Sequence, residues 1–188
     1  MKILILNGSP RKNGATARLL KAMREGLEMK HSVEWVDVYD LGMRPCMGCL
    51  RCRPAGRCAL PEDDAHGMKD AIEHADVLVV GTPTYWGNMS GPLKILFDRN
   101  VPAFEYIGTG FPKPRQKGKK AYIVTASASP WPFNQLMSQS RGAVRALKTV
   151  LNSGGYRVAG IINVPGVKKN IAVSERYIRK ARRLGERA

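Results

Sequence analysis

Short apolar runs alternate with amphipathic segments along the whole chain, and this alternation constrains the fold more than any other feature. Lys2–Leu6 reads as a buried strand. Ala15–Glu28 reads as a helix, with Leu20, Met23 and Leu27 at spacings of three and four on one face. Val33–Val38 alternates as a second strand, and Asp64–His74 follows as a helix with Asp63 or Asp64 at its N-cap. Val77–Val80, bounded by Gly81, is a third strand. Ser90–Asn100 is a helix carrying Pro92 in its first turn, where a missing N–H is tolerated. Ala121–Ala126 is the fourth strand. Leu136–Leu151 is a helix with Leu136, Ala143, Leu147 and Val150 inward, stopped by Gly154 and Gly155. Tyr156–Val164 is the fifth strand, and 168–188 forms a basic helix with Val173, Tyr177, Ala181 and Leu184 on one face. Strands alternating with helices require right-handed crossovers, hence an α/β fold. The expected architecture is a doubly wound, five-stranded parallel sheet of order 2-1-3-4-5, formed as one domain over residues 1–188. Such sheets bind ligands beyond the carboxyl ends of their strands, where strands one and three diverge. Two long connections stand out, 39–63 and the Pro/Gly-rich stretch 101–118.

The first strand runs straight into Asn7-Gly8-Ser9-Pro10-Arg11-Lys12-Asn13-Gly14-Ala15-Thr16, which opens the first helix. A helix N-terminus offers free N–H groups and the positive end of a dipole. Ser9, Asn13 and Thr16 add short polar groups, and Arg11 adds a charge-assisted contact. No Gly-Lys-Ser/Thr follows, and Gly8-Ser9-Pro10 breaks Gly-x-Gly, so neither nucleotide-hydrolysing nor dinucleotide fingerprints apply. A loop of this kind, with the backbone of Gly14 and Ala15 at the helix start, suits a monophosphate ester such as that of FMN. An ordinary capping turn is the alternative, and the position after strand one favours the phosphate.

Strand three ends in Thr82-Pro83-Thr84-Tyr85-Trp86-Gly87-Asn88-Met89-Ser90. Pro83, Thr84 and the flat surfaces of Tyr85 and Trp86 are expected to face an isoalloxazine ring, with Gly87 allowing close backbone approach and Asn88 meeting the polar edge. Ser127 and Ala128, after strand four, supply a third wall.

These two loops, with Gly91-Pro92-Leu93-Lys94 through Asp98-Arg99, resemble the NADPH-dependent FMN reductase and iron–sulfur flavoprotein family, over roughly residues 2 to 165. The resemblance implies a flavodoxin-like fold, bound FMN, and a homodimer or tetramer with flavin near a subunit interface. It also implies NAD(P)H as co-substrate, with hydride passing to FMN and electrons leaving to a quinone, a flavin or an iron–sulfur cluster. No catalytic acid or base is assigned, because the hard chemistry belongs to the flavin. An alternative is a one-electron carrier of the same fold, reduced by a ferredoxin.

All four cysteines fall in Cys46-x2-Cys49-x2-Cys52-x5-Cys58, which resembles the cluster-bearing branch of that family. Two x2 steps followed by x5 allow one four-iron four-sulfur cluster. Zinc is a second reading and four free thiols a third. Arg44, Arg51, Arg53 and Arg57 are expected to lower the thiol pKa values. His31, His66 and His74 show no ligand spacing.

The remaining feature is charge. Thirty-one Lys and Arg against 15 Asp and Glu give a formal net charge of +16. Such a balance is compatible with an acidic partner, a nucleic acid or a membrane surface. No aromatic-interleaved basic patch accompanies it, so a solvated basic surface is expected, with nucleic acid binding disfavoured. A basic nucleic-acid module with structural zinc is the rival from another class. No run is long and apolar enough to span a bilayer, and no secretory core follows Lys2, so a cytoplasmic location is expected.

Overall fold

The computed structural model describes residues 1–106, 110–168 and 173–188. Five parallel strands form one sheet: β1 (Lys2–Asn7), β2 (Ser32–Asp37), β3 (Val77–Pro83), β4 (Lys120–Ala126) and β5 (Arg157–Val164). Their order in space is β2-β1-β3-β4-β5, as the alternation requires, and the architecture is flavodoxin-like. Five principal helices cover the sheet: α1 (Ala15–Leu27), α2 (Asp64–His74), α3 (Gly91–Arg99), α4 (Gln139–Ser153) and α5 (Glu175–Glu186).

The central strands are apolar on both faces because both faces are covered. Ile3 and Ile5 of β1 and Val77 and Val79 of β3 pack toward α1 and α5. Leu4, Leu6, Leu78 and Val80 pack on the opposite side with Met68 and Ile72 of α2, Leu93, Leu96 and Phe97 of α3, and Leu147 and Leu151 of α4. Asp63 caps α2 by accepting the Ala65 N–H, and His66 closes the reciprocal half of a capping box.

Three expectations are corrected. The helix expected from Leu136 begins at Gln139: Phe133–Leu136 forms its own turn, Ser138 takes a positive φ of 56°, and Leu136 is exposed rather than inward. The connection over 101–118 is not wholly irregular. Val101–Phe104 makes a helical turn, and Glu105–Tyr106 pairs antiparallel with Lys113–Pro114. The helix expected over 168–188 begins only at Glu175, and residues 169–172 lie outside the described residues.

The C-terminal helix is part of the fold. Ala181 and Gly185 are buried, and α5 crosses α1 backbone to backbone at Gly26 and Gly185. A Cβ on Gly26 would run into the Arg182 carbonyl, and one on Gly185 into the Met23 carbonyl. No helix among the described residues is long and apolar enough to cross a membrane.

Strand register places the site. Asn7 lies opposite Asp37 on one side and Gly81 on the other, and Pro83 lies opposite Ala126. The loops leaving β1, β3 and β4 therefore converge at one end of the sheet, beside the point where β1 and β3 send their chains to opposite faces.

Candidate functional site

The loop after β1 is fixed from below. Gly8 donates its N–H to the Gly81 carbonyl at 2.8 Å. Buried Asn7 donates through Nδ2 to Asp37 Oδ1 at 2.6 Å, while its Oδ1 accepts the Ser9 N–H at 3.2 Å. Ser9 Oγ in turn accepts the Arg11 N–H at 3.2 Å, which curls the chain back toward the helix. α1 then starts from Gly14 with no side-chain cap and no acidic residue in its first turn. Its leading N–H groups and the positive end of its dipole are left for an anion.

A cleft of about 360 Å³ opens at this point, within the range of about 300–1,000 Å³ common for small-molecule sites. Ser9, Arg11, Asn13, Gly14, Ala15 and Thr16 line one side. Pro83, Thr84 and Tyr85 line the facing side, and Ala128 lies at the end with Ala126. Thr84 is held by its N–H, which donates to the Ala126 carbonyl at 2.8 Å. Its Oγ1 is buried and has no hydrogen-bond partner in the protein, an unpartnered polar group in the wall of the cleft. These groups fit FMN: an uncapped helix start with hydroxyls and arginine for a phosphate, and a small-residue and tyrosine end for a flat ring.

Four of the expected site residues stand outside this lining. Trp86 and Gly87 take φ values of 50° and 72° at the tip of a two-residue turn, which Tyr85 and Asn88 close by exchanging backbone hydrogen bonds of 3.0 and 2.9 Å. Two consecutive positive φ values define the primed turn that suits a tight hairpin, a conformation uncommon for a bulky residue such as Trp86. The Trp86 ring is 99% exposed and borders a separate hollow with Met137, Gln139 and Gly142. Asn88 Oδ1 is engaged by the Met89 N–H at 2.8 Å. Ser127 is buried, and its Oγ accepts the Ser129 N–H at 3.2 Å.

Conversely, Arg18, Val167, Lys168 and Val173 line the cleft without having been expected there. Arg18 had a readable signal, since it lies in the first turn of the helix whose start was expected to meet the phosphate. Lys168 had one as well, since it follows the carboxyl end of β5 by four residues, in a loop that the Val167 N–H ties to the Ser127 carbonyl at 2.9 Å. Val173, nine residues past that strand, had none.

The cysteine loop lies beside the same end of the fold. Cys46 and Cys49 are exposed, and Cys52 and Cys58 are half-buried. Among the described residues no three metal-ligating side chains converge on one centre, although all four cysteines are described. The donor chemistry suits a thiolate-bound metal. Bringing Cys46 and Cys49 onto a common centre with Cys58 requires the exposed part of the loop to close. The expected uniform lowering of thiol pKa values is corrected. Cys49 is pushed down, first by a hydrogen bond from the Arg51 backbone. Cys52 is pushed up, by burial first and then by the neighbouring Cys58 and Cys46. Arg57 is turned away to Glu62, at 2.7 and 3.0 Å.

The far end of that loop is anchored by Arg99, a residue whose structural weight the sequence did not show. Its side chain is fully buried. Nη1 donates to Asp63 Oδ2 at 2.6 Å and to the Arg44 carbonyl at 2.7 Å, Nη2 to Asp63 Oδ1 at 2.9 Å, and Nε to Cys58 Sγ at 3.1 Å. Burial by itself would raise the Asp63 carboxyl, but hydrogen bonds from Arg99 and from the Arg44 backbone hold it at about 2.

Comparison with known proteins gives a consistent picture. The profile of a family described as NADPH-dependent FMN reductase matches residues 1–163. The iron–sulfur flavoprotein MJ1083 of Methanocaldococcus jannaschii is 34% identical over 103 residues, covering 54% of this chain and 53% of that protein. An iron–sulfur flavoprotein of Archaeoglobus fulgidus is 27% identical over 188 residues, covering 100% of this chain and 78% of its own. The chain spans about half the length of the curated relatives it matches at about one-third identity. Among solved structures, Smu.1420 from Streptococcus mutans UA159 superposes with a TM-score of 0.81 at 21% identity, covering 100% of both chains.

Proposed function

Because the chain belongs to the NADPH-dependent FMN reductase family, we propose that it is an FMN-dependent oxidoreductase that takes hydride from NAD(P)H and passes the electrons onward. The observation that carries this reading is the cleft at the switch point, where the uncapped start of α1 faces Thr84 and Tyr85. FMN, when bound, supplies the two-electron acceptance and the one- or two-electron release. The residues of the chain bind and orient it. Ser9, Asn13, Thr16 and the N–H groups of Gly14 and Ala15 take the phosphate, with Arg11 closing over it. Thr84 Oγ1 and the backbone of Pro83, Thr84 and Tyr85 meet the ring, against Ala128. No side chain is assigned as acid or base.

The onward acceptor is a small molecule, a quinone or free flavin, and the working unit is a homodimer. Support for the dimer comes from an exposed apolar face beside the cleft: Trp86 and Met137 share one hollow, and Trp131, Phe133 and Leu136 follow on the adjoining segment. Monomers seldom leave such a face to water.

A second reading is favoured by the fixed position of Cys58. In it Cys46, Cys49, Cys52 and Cys58 would hold a four-iron four-sulfur cluster, which would supply one-electron transfer. Protein purified without oxygen tests both readings. About one FMN per chain and steady oxidation of NADPH in the presence of a quinone are expected, and an absence of flavin binding overturns the assignment. Iron and sulfide near four per chain support the cluster, and any single Cys→Ser change should then lower iron while leaving flavin. Bound flavin with four titratable thiols and no iron removes the cluster and leaves a plain reductase.

A further inference from the structure

The strongest unexplained feature of the sequence is its net charge of +16, and the structure concentrates part of it in one place. Arg176, Arg179, Lys180, Arg183 and Arg187 line a single open hollow along α5 and its end, together with Leu184. All five cations are exposed. The spacing i, i+3, i+4, i+7, i+11 keeps them on one stripe of the helix. Among the described residues none of the five has an ion-pair partner. The one cation of α5 that does is Arg182, outside the stripe, paired with Glu25 of α1.

We propose that this stripe binds the sugar–phosphate backbone of a nucleic acid without reading its sequence. From Arg176 to Arg187 the helix rises about 16 Å, the axial length of about five nucleotides at roughly 3.4 Å each. Four of the five cations are arginine, whose planar guanidinium matches phosphate with two parallel hydrogen bonds.

The apolar side of α5 argues against the other polyanions. Ala181 and Gly185 are buried against α1, and Val173 is buried before the helix starts. No apolar face remains to enter a lipid surface. Within the stripe only half-buried Leu184 is apolar, too little for the apolar centre of a protein interface. What remains is a row of charges, which suits a partner that is itself a row of charges. The stripe is built from residues that do not line the FMN cleft, so the proposal stands apart from the oxidoreductase reading.

The test uses the 188-residue chain loaded with FMN and a fluorescein-labelled oligothymidylate, with anisotropy followed over a range of salt. Binding should weaken as salt rises, with a log–log slope of about 0.7 per phosphate contacted. Changing Arg176, Arg179, Lys180 and Arg183 together to Gln should flatten the slope by about 2.8. A matched set elsewhere, Lys113, Lys117, Arg141 and Lys148 to Gln, should leave it nearly unchanged. Flavin content reports that each variant is folded. The proposal is overturned if the wild-type protein shows no salt-dependent binding, or if the matched set flattens the slope as much as the stripe does. It is also overturned if polyglutamate of equal charge competes as well as unlabelled oligothymidylate, which would assign the face to an acidic protein.

Discussion

Arg99 donates from Nε to Cys58 Sγ over 3.1 Å, from a side chain with no exposed surface, and so ties the last cysteine of the loop to the core. The same guanidinium grips both oxygens of Asp63. Removing one partner of a buried pair leaves an uncompensated charge, which costs about 3–5 kcal/mol. Arg99→Met should therefore lower stability by that amount in urea unfolding. The double change Arg99→Met with Asp63→Leu should recover a large part of the loss, because the stranded carboxylate is gone. No recovery would mean that the loss comes from packing and from Cys58 rather than from the ion pair.

The carboxyl of Asp63 sets a pH dependence whose sign follows from its lowered value of about 2. A carboxylate depressed in the folded state stabilises above its unfolded pKa, and that contribution disappears as pH falls through the folded value. From an ordinary value of 3.8 to about 2 the linkage amounts to about 2 kcal/mol, with about half remaining at pH 3. Asp63→Asn keeps a capping oxygen but cannot ionise. Its deficit against the wild type should be largest near pH 7 and shrink between pH 4 and pH 2. Urea melts across that range decide it, and a constant deficit would contradict the assignment.

The proposed phosphate site at the start of α1 predicts discrimination between FMN and riboflavin. Arg11→Ala, Ser9→Ala or Thr16→Ala should weaken FMN by about 1–3 kcal/mol and leave riboflavin nearly unaffected. Flavin fluorescence titration measures both. Equal losses for the two ligands would place the phosphate somewhere other than the start of α1.

The crossing of α1 and α5 leaves no room for a methyl group. Gly185→Ala would drive a Cβ into the Met23 carbonyl, and backbone cannot move aside as a flexible side chain can. A loss of about 1–3 kcal/mol is expected by denaturant unfolding, from overpacking. Removing the chain from Lys168 onward should expose the apolar residues under α5 and take Lys168 and Val173 from the cleft. A truncated protein that stays folded and binds FMN with unchanged affinity would refute a structural role for the tail.

Local pattern was enough to place the five strands, the principal helices and the order of the sheet. The reason is that apolar periodicity and Gly/Pro punctuation act within a few residues, and right-handed crossovers then leave few topologies. The place of the loop after β1 on the cleft was legible for the same reason, since one contiguous segment carries both the strand end and the helix start. Tertiary structure alone decided the rest. Trp86 and Tyr85 are neighbours in sequence, yet a turn with two positive φ values turns one outward and leaves the other on the cleft. Val173 lies nine residues past β5, and no local pattern marks it as part of the cleft wall. Arg99 lies 41 residues from Cys58 and 36 from Asp63, and no local pattern marks a charge that will be buried between them. Charge is counted in a sequence but arranged by a fold: the five cations of α5 form one stripe because burial of Ala181 and Gly185 sets which side of the helix faces water.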